Sequence, residues 1–359
     1  MTIIKERIFN QEDKKTTSSL DYNSSSKNLI KSCIKHSCHR PTSKYFQDLE
    51  SPFLIHGHHE DKANKMLIIK KNNQLVSYPD YSKISGLDYH HIYRNVDYKN
   101  EGYNLTFNKC FFFTYNSSWS WQHFIQDAIH YIVFAKEILD NNPDIFIVLE
   151  EPREDFPSLE FIIRNVLGLK NPIYYLDRKK KYFAKVNEFY ESIFDPNLLY
   201  SCPPIIRYDA HNMILNYNKN HYDGTNKYLT YFTRRNCTTR KINNESTVIQ
   251  VLRKYATKLG LEFKIINTAN EPFENVFKIM YQSKIVFAPH GGSNFNIYWC
   301  KKNTLFIECI FVNQTETCMN LARSIGLKYY IIPIPNTNHH SPSFQMNLNE
   351  LEIILDRQH

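Results

Sequence analysis

The stretch Ile285-Val286-Phe287-Ala288-Pro289-His290-Gly291-Gly292-Ser293-Asn294-Phe295-Asn296 decides how this chain is expected to fold. Its first four residues form an unbroken apolar run, the pattern of a strand buried on both faces of a parallel sheet. A glycine pair follows, in a chain with only 9 glycines, and then a segment that reads as the start of a helix. At the carboxyl end of a parallel strand such a turn lets backbone amides come close to a ligand, and the next helix N-terminus favours negative charge. The expected ligand is a diphosphate: His290 donates to it, Gly291 and Gly292 allow close approach, and Ser293 and Asn294 cap the helix while touching it. The same spacing also fits an ordinary strand-to-helix turn with a capping Ser or Asn. An esterase oxyanion loop is excluded, because no Gly-x-Ser-x-Gly elbow occurs, and neither a nucleotide-hydrolase phosphate loop nor a Gly-x-Gly-x-x-Gly fingerprint is present.

Outward from this stretch, strands and helices alternate cleanly. Strands are expected over Tyr228 to Thr233, Glu262 to Ile266, Thr304 to Glu308 and Tyr329 to Ile332, with helices over Glu245 to Leu259, Phe273 to Tyr281 and Glu316 to Ser324. Repeated strand–helix units with apolar strands specify a parallel sheet covered on both sides, so residues 221–340 read as a Rossmann-like lobe. Upstream, Met66 to Ile69, Cys110 to Tyr115 and Ile145 to Leu149 read as strands, and Trp119 to Leu139 and Leu159 to Leu167 as helices, giving a first lobe over 45–220. Residues 1–44 are rich in Ser, Lys, Asn and Thr and read as a polar tail. The hinge is expected between Pro203-Pro204 and Gly224. Segment 341–359, with a helix over Asn349 to Leu355, is expected to return to the first lobe.

Three further clusters carry chemistry. Arg234, Arg235 and Arg240 crowd the carboxyl end of the first strand of the later lobe, where guanidinium forks match phosphate oxygens. Asn244 and Glu245 follow them, as ligand contacts or as the cap and first-turn acid of a helix. Glu308, at a strand end, is placed to accept from both ribose hydroxyls or simply to be solvated. In the earlier lobe His123 and Asp127 stand four residues apart, so an α-helix puts them on one face, where they could serve as a general base and its partner or form a surface hydrogen bond. Trp119 and Trp121 beside them suit a core or a sugar-stacking platform.

Composition bounds the rest. A length of 359 residues suits two domains. The formal charge of +8 is diffuse; its densest run, Arg178 to Lys181, reads as a solvated face, and a nucleic-acid groove is the rival. No stretch approaches the roughly 20 apolar residues of a membrane span, and the start Met-Thr-Ile-Ile-Lys-Glu-Arg is not a basic start followed by an apolar run, so a soluble cytoplasmic chain is expected. Heavy use of Asn, Lys, Ile and Tyr points to an AT-rich genome, as in a microbe or large virus once the resemblance below is taken with the lack of an apolar span; a virus would imply a virion or viral-factory setting. The 8 scattered cysteines read as buried thiols, and Cys33, His36, Cys38 and His39 are spaced too tightly for the usual zinc site.

Taken in order, these segments resemble the family-61 glycosyltransferases, which include plant xylosyltransferases and animal N-acetylglucosaminyltransferases. His123 and Asp127 match the last two places of the family's Asn-x-x-His-x-x-x-Asp helix. Arg234, Arg240, Asn244 and Glu245 match its aromatic strand ending in Arg, further Arg and Asn-Glu. His290, Gly291, Asn296 and Glu308 match its His-Gly-Ala-Gly-x-x-Asn signature and the later strand ending in Glu. Ser120 stands where the family has Asn, and Gly292-Ser293 replaces Ala-Gly. The resemblance implies a GT-B fold, two Rossmann-like lobes with parallel sheets facing across a cleft, and transfer with inversion from a nucleotide diphosphate, UDP foremost, to a hydroxyl of a glycan or protein. It implies a nucleotide sugar as co-substrate and no other cofactor. No Asp-x-Asp pair ends a strand, which argues for metal-free chemistry. A nucleotide-sugar-binding protein without catalysis is the alternative.

Overall fold

A computed structural model describes residues 2–8, 65–78, 104–113, 120–152, 159–177, 179–180, 182–194, 204–268, 270–312, 317–338 and 340–358. The described residues divide into two compact units, one holding 2–8 and 65–206, the other 207–358.

In the first unit, strands β1 (Thr2–Ile8), β2 (Lys65–Tyr78), β3 (Leu105–Phe112), β4 (Phe146–Glu150), β5 (Ile173–Leu176) and β6 (Tyr182–Phe194) form one sheet in the order β1-β2-β6-β3-β4-β5. β6, β3, β4 and β5 run parallel, while β2 joins β6 and β1 joins β2 antiparallel. The sheet is therefore mixed, not wholly parallel. One face packs Phe107, Cys110, Phe112, Val148, Val186 and Phe189 together. Helix α1 (121–141) buries Phe124, Ile125, Ile129, Ile132 and Leu139, and α2 (159–166) buries Leu159, Ile162 and Ile163. Asn171 ties the end of α1 to the start of β4, its amide donating to the carbonyls of Leu139, Asn142 and Ile145 at 3.2, 2.9 and 3.2 Å.

One expectation changes here. Thr2–Ile8 belongs to a strand rather than a tail, held by its ladder to β2 and by Lys5, which reaches Glu137 at 3.1 Å; Ile3 and Ile4 stay exposed, so burial patterning could not reveal it. The remainder of 1–44, with Cys33, His36, Cys38 and His39, lies outside the described residues. The stretch expected to hold the hinge forms α3 (Pro204–His221), and the division between units falls inside it, between Ile206 and Arg207.

The second unit is the doubly wound lobe read from sequence. Strands β7 (Tyr228–Phe232), β9 (Glu262–Ile266), β10 (Ser283–Pro289), β11 (Leu305–Val312) and β12 (Lys328–Asn338) are all parallel in the order β12-β11-β10-β7-β9. Helices α4 (Glu245–Lys258), α5 (Phe273–Tyr281) and α6 (Thr317–Ser324) connect successive strands, and α7 (Leu348–Asp356) closes the chain. A short pair, β8 (Lys241–Ile242) with β13 (Ser343–Phe344), lies outside the main sheet. On one face of the sheet, Leu229, Tyr231, Ile285, Phe287 and Ile307 pack against Val248 and Leu252 of α4 and Leu351, Ile354 and Leu355 of α7. The C-terminal helix is thus part of the second unit's core instead of returning to the first. Its apolar face completes the cover that α4 begins, and Lys258 bonds Asp356 at 3.2 Å on the outside.

Below the glycine pair the expected α-helix is a 3-10 helix, Gly292–Trp299. Asn296 shapes it: its amide donates to Ser293 O at 2.9 Å and its oxygen accepts from the Trp299 indole at 3.1 Å. α3 straps the far end, with Tyr298 donating to Arg207 O, Asn218 to Trp299 O and His211 Nε2 to Cys300 O. No disulfide forms among the described residues, and Cys110, Cys300, Cys309 and Cys318 are buried.

Candidate functional site

Counted within the second unit, the strand order is 2-1-3-4-5, so the chain reverses direction across the sheet between β7 and β10. From β7 it passes through α4 to β9 on one side, then back through α5 to β10 on the other. In open α/β sheets the loops leaving two such strands diverge and open a crevice at their carboxyl ends, where ligands bind. β7 runs into Thr233-Arg234-Arg235 and β10 into His290-Gly291, so the topology brings two of the sequence-identified clusters to one place.

They meet in contact. The Arg234 guanidinium lies over Gly291 so closely that a Cβ on the glycine would fall 2.1 Å from Nη1. Gly291 has extended backbone, so the glycine is required by this approach and not by its torsion angles. Arg234 Nε donates to Thr239 O at 3.1 Å, which fixes the fork and leaves both Nη groups. Arg240 comes from the same loop in a left-handed conformation, φ 60, a strained state for a residue with a side chain. A parallel clamp over-determines it: Arg240 N bonds Ser341 O at 2.8 Å, Lys241 N bonds Pro342 O at 3.0 Å and Asn243 N bonds Phe344 O at 2.8 Å.

The electrostatics of the pair are unusual. Burial lowers the affinity of the Arg234 guanidinium for its proton. Burial, and then the neighbouring Arg234 charge, bring Arg240 down to about 10. Among the described residues neither makes an ion pair with a carboxylate, and Arg240 Nε is a buried donor with no partner. Two part-buried like charges are thus held close together by a strained loop, with no carboxylate paired to either among the described residues.

Beside them is a buried carboxylate in the opposite condition. Glu308 is 1% exposed and sits inside β11, which continues to Val312. Its Oε1 takes His290 Nδ1 at 2.6 Å and the Asn294 amide at 2.9 Å, and its Oε2 accepts the Tyr329 hydroxyl. Glu308 therefore lies within its strand rather than at the strand's end, and its carboxylate is bonded to the His290 ring and the Asn294 amide. His290, Glu308 and Cys318 do bring nitrogen, oxygen and sulfur ligand atoms within 4.8 Å of one another. Three donors already bond the carboxylate, and the charge of Arg240 acts on it as well.

Asn244 and Glu245 also act behind the crevice. Asn244 makes no cap hydrogen bond; its amide donates to Met346 O at 3.1 Å and its oxygen accepts from Met346 N at 2.9 Å, extending the β8–β13 clamp. Glu245 accepts from Thr233 Oγ1 at 2.5 Å, Tyr231 OH at 2.9 Å and Arg235 Nε at 3.0 Å. Burial works to raise its carboxyl, but these hydrogen bonds outweigh it and the net shift is downward. Both residues position the arginine loop. Gly292 and Ser293 are half-buried at the head of the 3-10 helix, whose first turn is closed by Asn294 N on Gly291 O at 2.9 Å. Sequence reasoning missed Tyr231, Thr233 and Tyr329, whose only signal was a polar tip in an apolar strand.

In the first unit the proposed acceptor-side helix is not α-helical through its key residues. Ile129 N bonds Phe124 O, five residues back, so Phe124–Ala128 form a π turn within α1. Such turns occur frequently at functional sites. His123 and Trp121 are half-buried at its start; the side chain of Asp127, and Trp119, lie outside the described residues.

Comparison with known proteins follows this geometry. No curated protein matches the chain. Among solved structures, the metal-soaked Flv1 flavodiiron core from Synechocystis sp. PCC6803 is similar over 69% of this chain and 78% of its own, at 11% identity and a TM-score of 0.24, too low to carry any argument. The family described as Glycosyltransferase 61 matches residues 121–307, more than half of the chain, from the start of α1 through the arginine loop and the glycine turn into β11. With two α/β units, and with the arginine and glycine loops in contact at the carboxyl edge of the second sheet, the chain belongs to glycosyltransferase family 61 and is a glycosyltransferase.

Proposed function

We propose that the crevice between β7 and β10 holds the diphosphate of a UDP-sugar, and that the sugar passes with inversion to a hydroxyl of a glycan or protein acceptor. The observation that carries this is the Arg234–Arg240 pair over Gly291, two part-buried cations with no carboxylate paired to either among the described residues. In an in-line displacement the acceptor oxygen bonds the anomeric carbon, the bond from that carbon to the diphosphate oxygen breaks, and the acceptor proton passes to a base. Asp127 is that base and His123 orients it. The departing diphosphate gains negative charge as the bond breaks, and Arg234, Arg240 and His290 meet that charge in place of a metal ion. Fixed dipoles and charges suit this role because they need not reorganise during the reaction.

Calorimetric titration with UDP, other nucleoside diphosphates and their sugars tests the donor. UDP is expected to bind in chelator-treated protein; binding or turnover that vanishes on chelation and returns with Mn²⁺ overturns the metal-free reading. Asp127→Asn is expected to abolish transfer while sparing UDP affinity. Unchanged transfer in that variant removes Asp127 as the base.

A further inference from the structure

We infer that Tyr329 is a positioning residue for the donor site, acting through Glu308 to set the orientation of His290. The inference rests on the diphosphate reading above. It concerns a residue beyond the segment that matches the family, which ends at 307.

The geometry is specific to the hydroxyl. β11 and β12 pair in parallel with Phe306 opposite Tyr329, so Tyr329 shares a sheet face with Phe306 and, two residues on, with Glu308. The Tyr329 ring runs alongside the Phe306 ring, centroids 5.6 Å apart, and its hydroxyl reaches Glu308 Oε2. Phenylalanine would fill this fully buried position equally well, and a buried hydroxyl costs free energy unless it is hydrogen-bonded. Burial, reinforced by the Glu308 charge, keeps the phenol protonated, so it is a constant donor. On the carboxylate's other oxygen, His290 Nδ1 and the Asn294 amide compete for the remaining lone pairs. Removing the phenol donor leaves Oε2 without a partner among the described residues. The carboxylate then gains by turning or by drawing its other donors across, and the His290 ring, bonded at 2.6 Å, turns with it. His290 starts the loop that contains Gly291, directly after β10, so its Nε2 edge is what the network aims.

The test is a double-mutant cycle read by calorimetric UDP affinity, with thermal melting to correct for the folded fraction. Tyr329→Phe is expected to weaken UDP binding roughly tenfold in the parent chain and to have no further effect in a His290→Ala background, because the two act in series. In turnover assays the same substitution lowers kcat without the loss seen for an unfolded fraction. Equal weakening in both backgrounds, or unchanged affinity in the parent, overturns the inference while leaving the diphosphate site standing. A parent chain that does not bind UDP overturns the diphosphate reading and the inference with it. If Tyr329→Phe does not fold, Glu308→Gln carries the same cycle, since it removes the acceptor charge through which the phenol acts.

Discussion

Two buried charge clusters stand side by side at the carboxyl edge of the second unit's sheet, and they are built on opposite rules. Around Glu308 the anion is complete: both oxygens are bonded, by His290, Asn294 and Tyr329. Around Arg234 and Arg240 the cations are left incomplete, with burial and mutual repulsion lowering the proton affinity of Arg240 and no carboxylate paired to either among the described residues. A buried charge bonded on both oxygens fixes the groups that bond it. An unsatisfied pair, kept together by a strained residue and a clamp, is the arrangement on which the proposed diphosphate site rests. The adjacent Arg235 shows the contrast within one dipeptide, since it points outward to Glu245 at 3.0 Å.

The largest effect that tests this contrast is at Arg240. Arg240→Ala is expected to cut turnover roughly a hundredfold, about 3 kcal/mol of lost transition-state stabilisation. Its melting temperature should stay level or rise, because a part-buried charge and its repulsion are removed. A variant that loses stability and activity together would show that Arg240 is structural.

A neutral buried base gives the next test. His211 Nε2 donates to Cys300 O at 2.8 Å, and burial brings its pKa from 6.5 to about 4. Because the folded-state value is the lower one, falling pH protonates the unfolded chain first. Stability on this group's account is full above about 6.5, erodes as pH falls towards about 4, and is constant below that. The loss is on the order of 3 kcal/mol. Urea unfolding across this range should show it, and His211→Gln should flatten the slope.

Gly291→Ala sharpens the comparison most directly. The added methyl meets the Arg234 guanidinium, with Ser293 Oγ at ordinary contact distance, so melting should change little while UDP affinity falls roughly tenfold as the guanidinium is displaced. Equal UDP affinity in this variant would mean that Arg234 does not touch the nucleotide. The smallest effect is expected for Arg235→Ala. Its side chain is 63% exposed, and Glu245 retains Tyr231 and Thr233, so stability should change by less than about 1 kcal/mol and turnover by less than about twofold.

Much of the second unit was legible before any coordinates. The strands β7, β10 and β11 in the interior of the main sheet are largely apolar runs, because a strand covered on both faces must be apolar throughout, and Gly291 stood out because glycine is scarce here. The first unit was less legible. β1 leaves Ile3 and Ile4 exposed and is held by backbone pairing, which no side-chain pattern records. α7 was read as returning to the first unit because an amphipathic helix shows that it has a partner without showing which one. No helix among the described residues is long and apolar enough to cross a membrane, in keeping with the absence of an apolar span in the sequence.

The sequence by itself determined the α/β alternation, the family and the residue types at the site, since these follow from local periodicity and from short motifs read along the chain. Only the tertiary structure decided which of those residues face one another. Arg234 lies over Gly291 because β7 and β10, more than fifty residues apart, are neighbours at the point where the sheet order reverses. Glu308 became an internal anchor because strand pairing set Tyr329 and His290 on either side of it. Such long-range pairing is a property of the assembled sheet, and no single segment of the chain carries it.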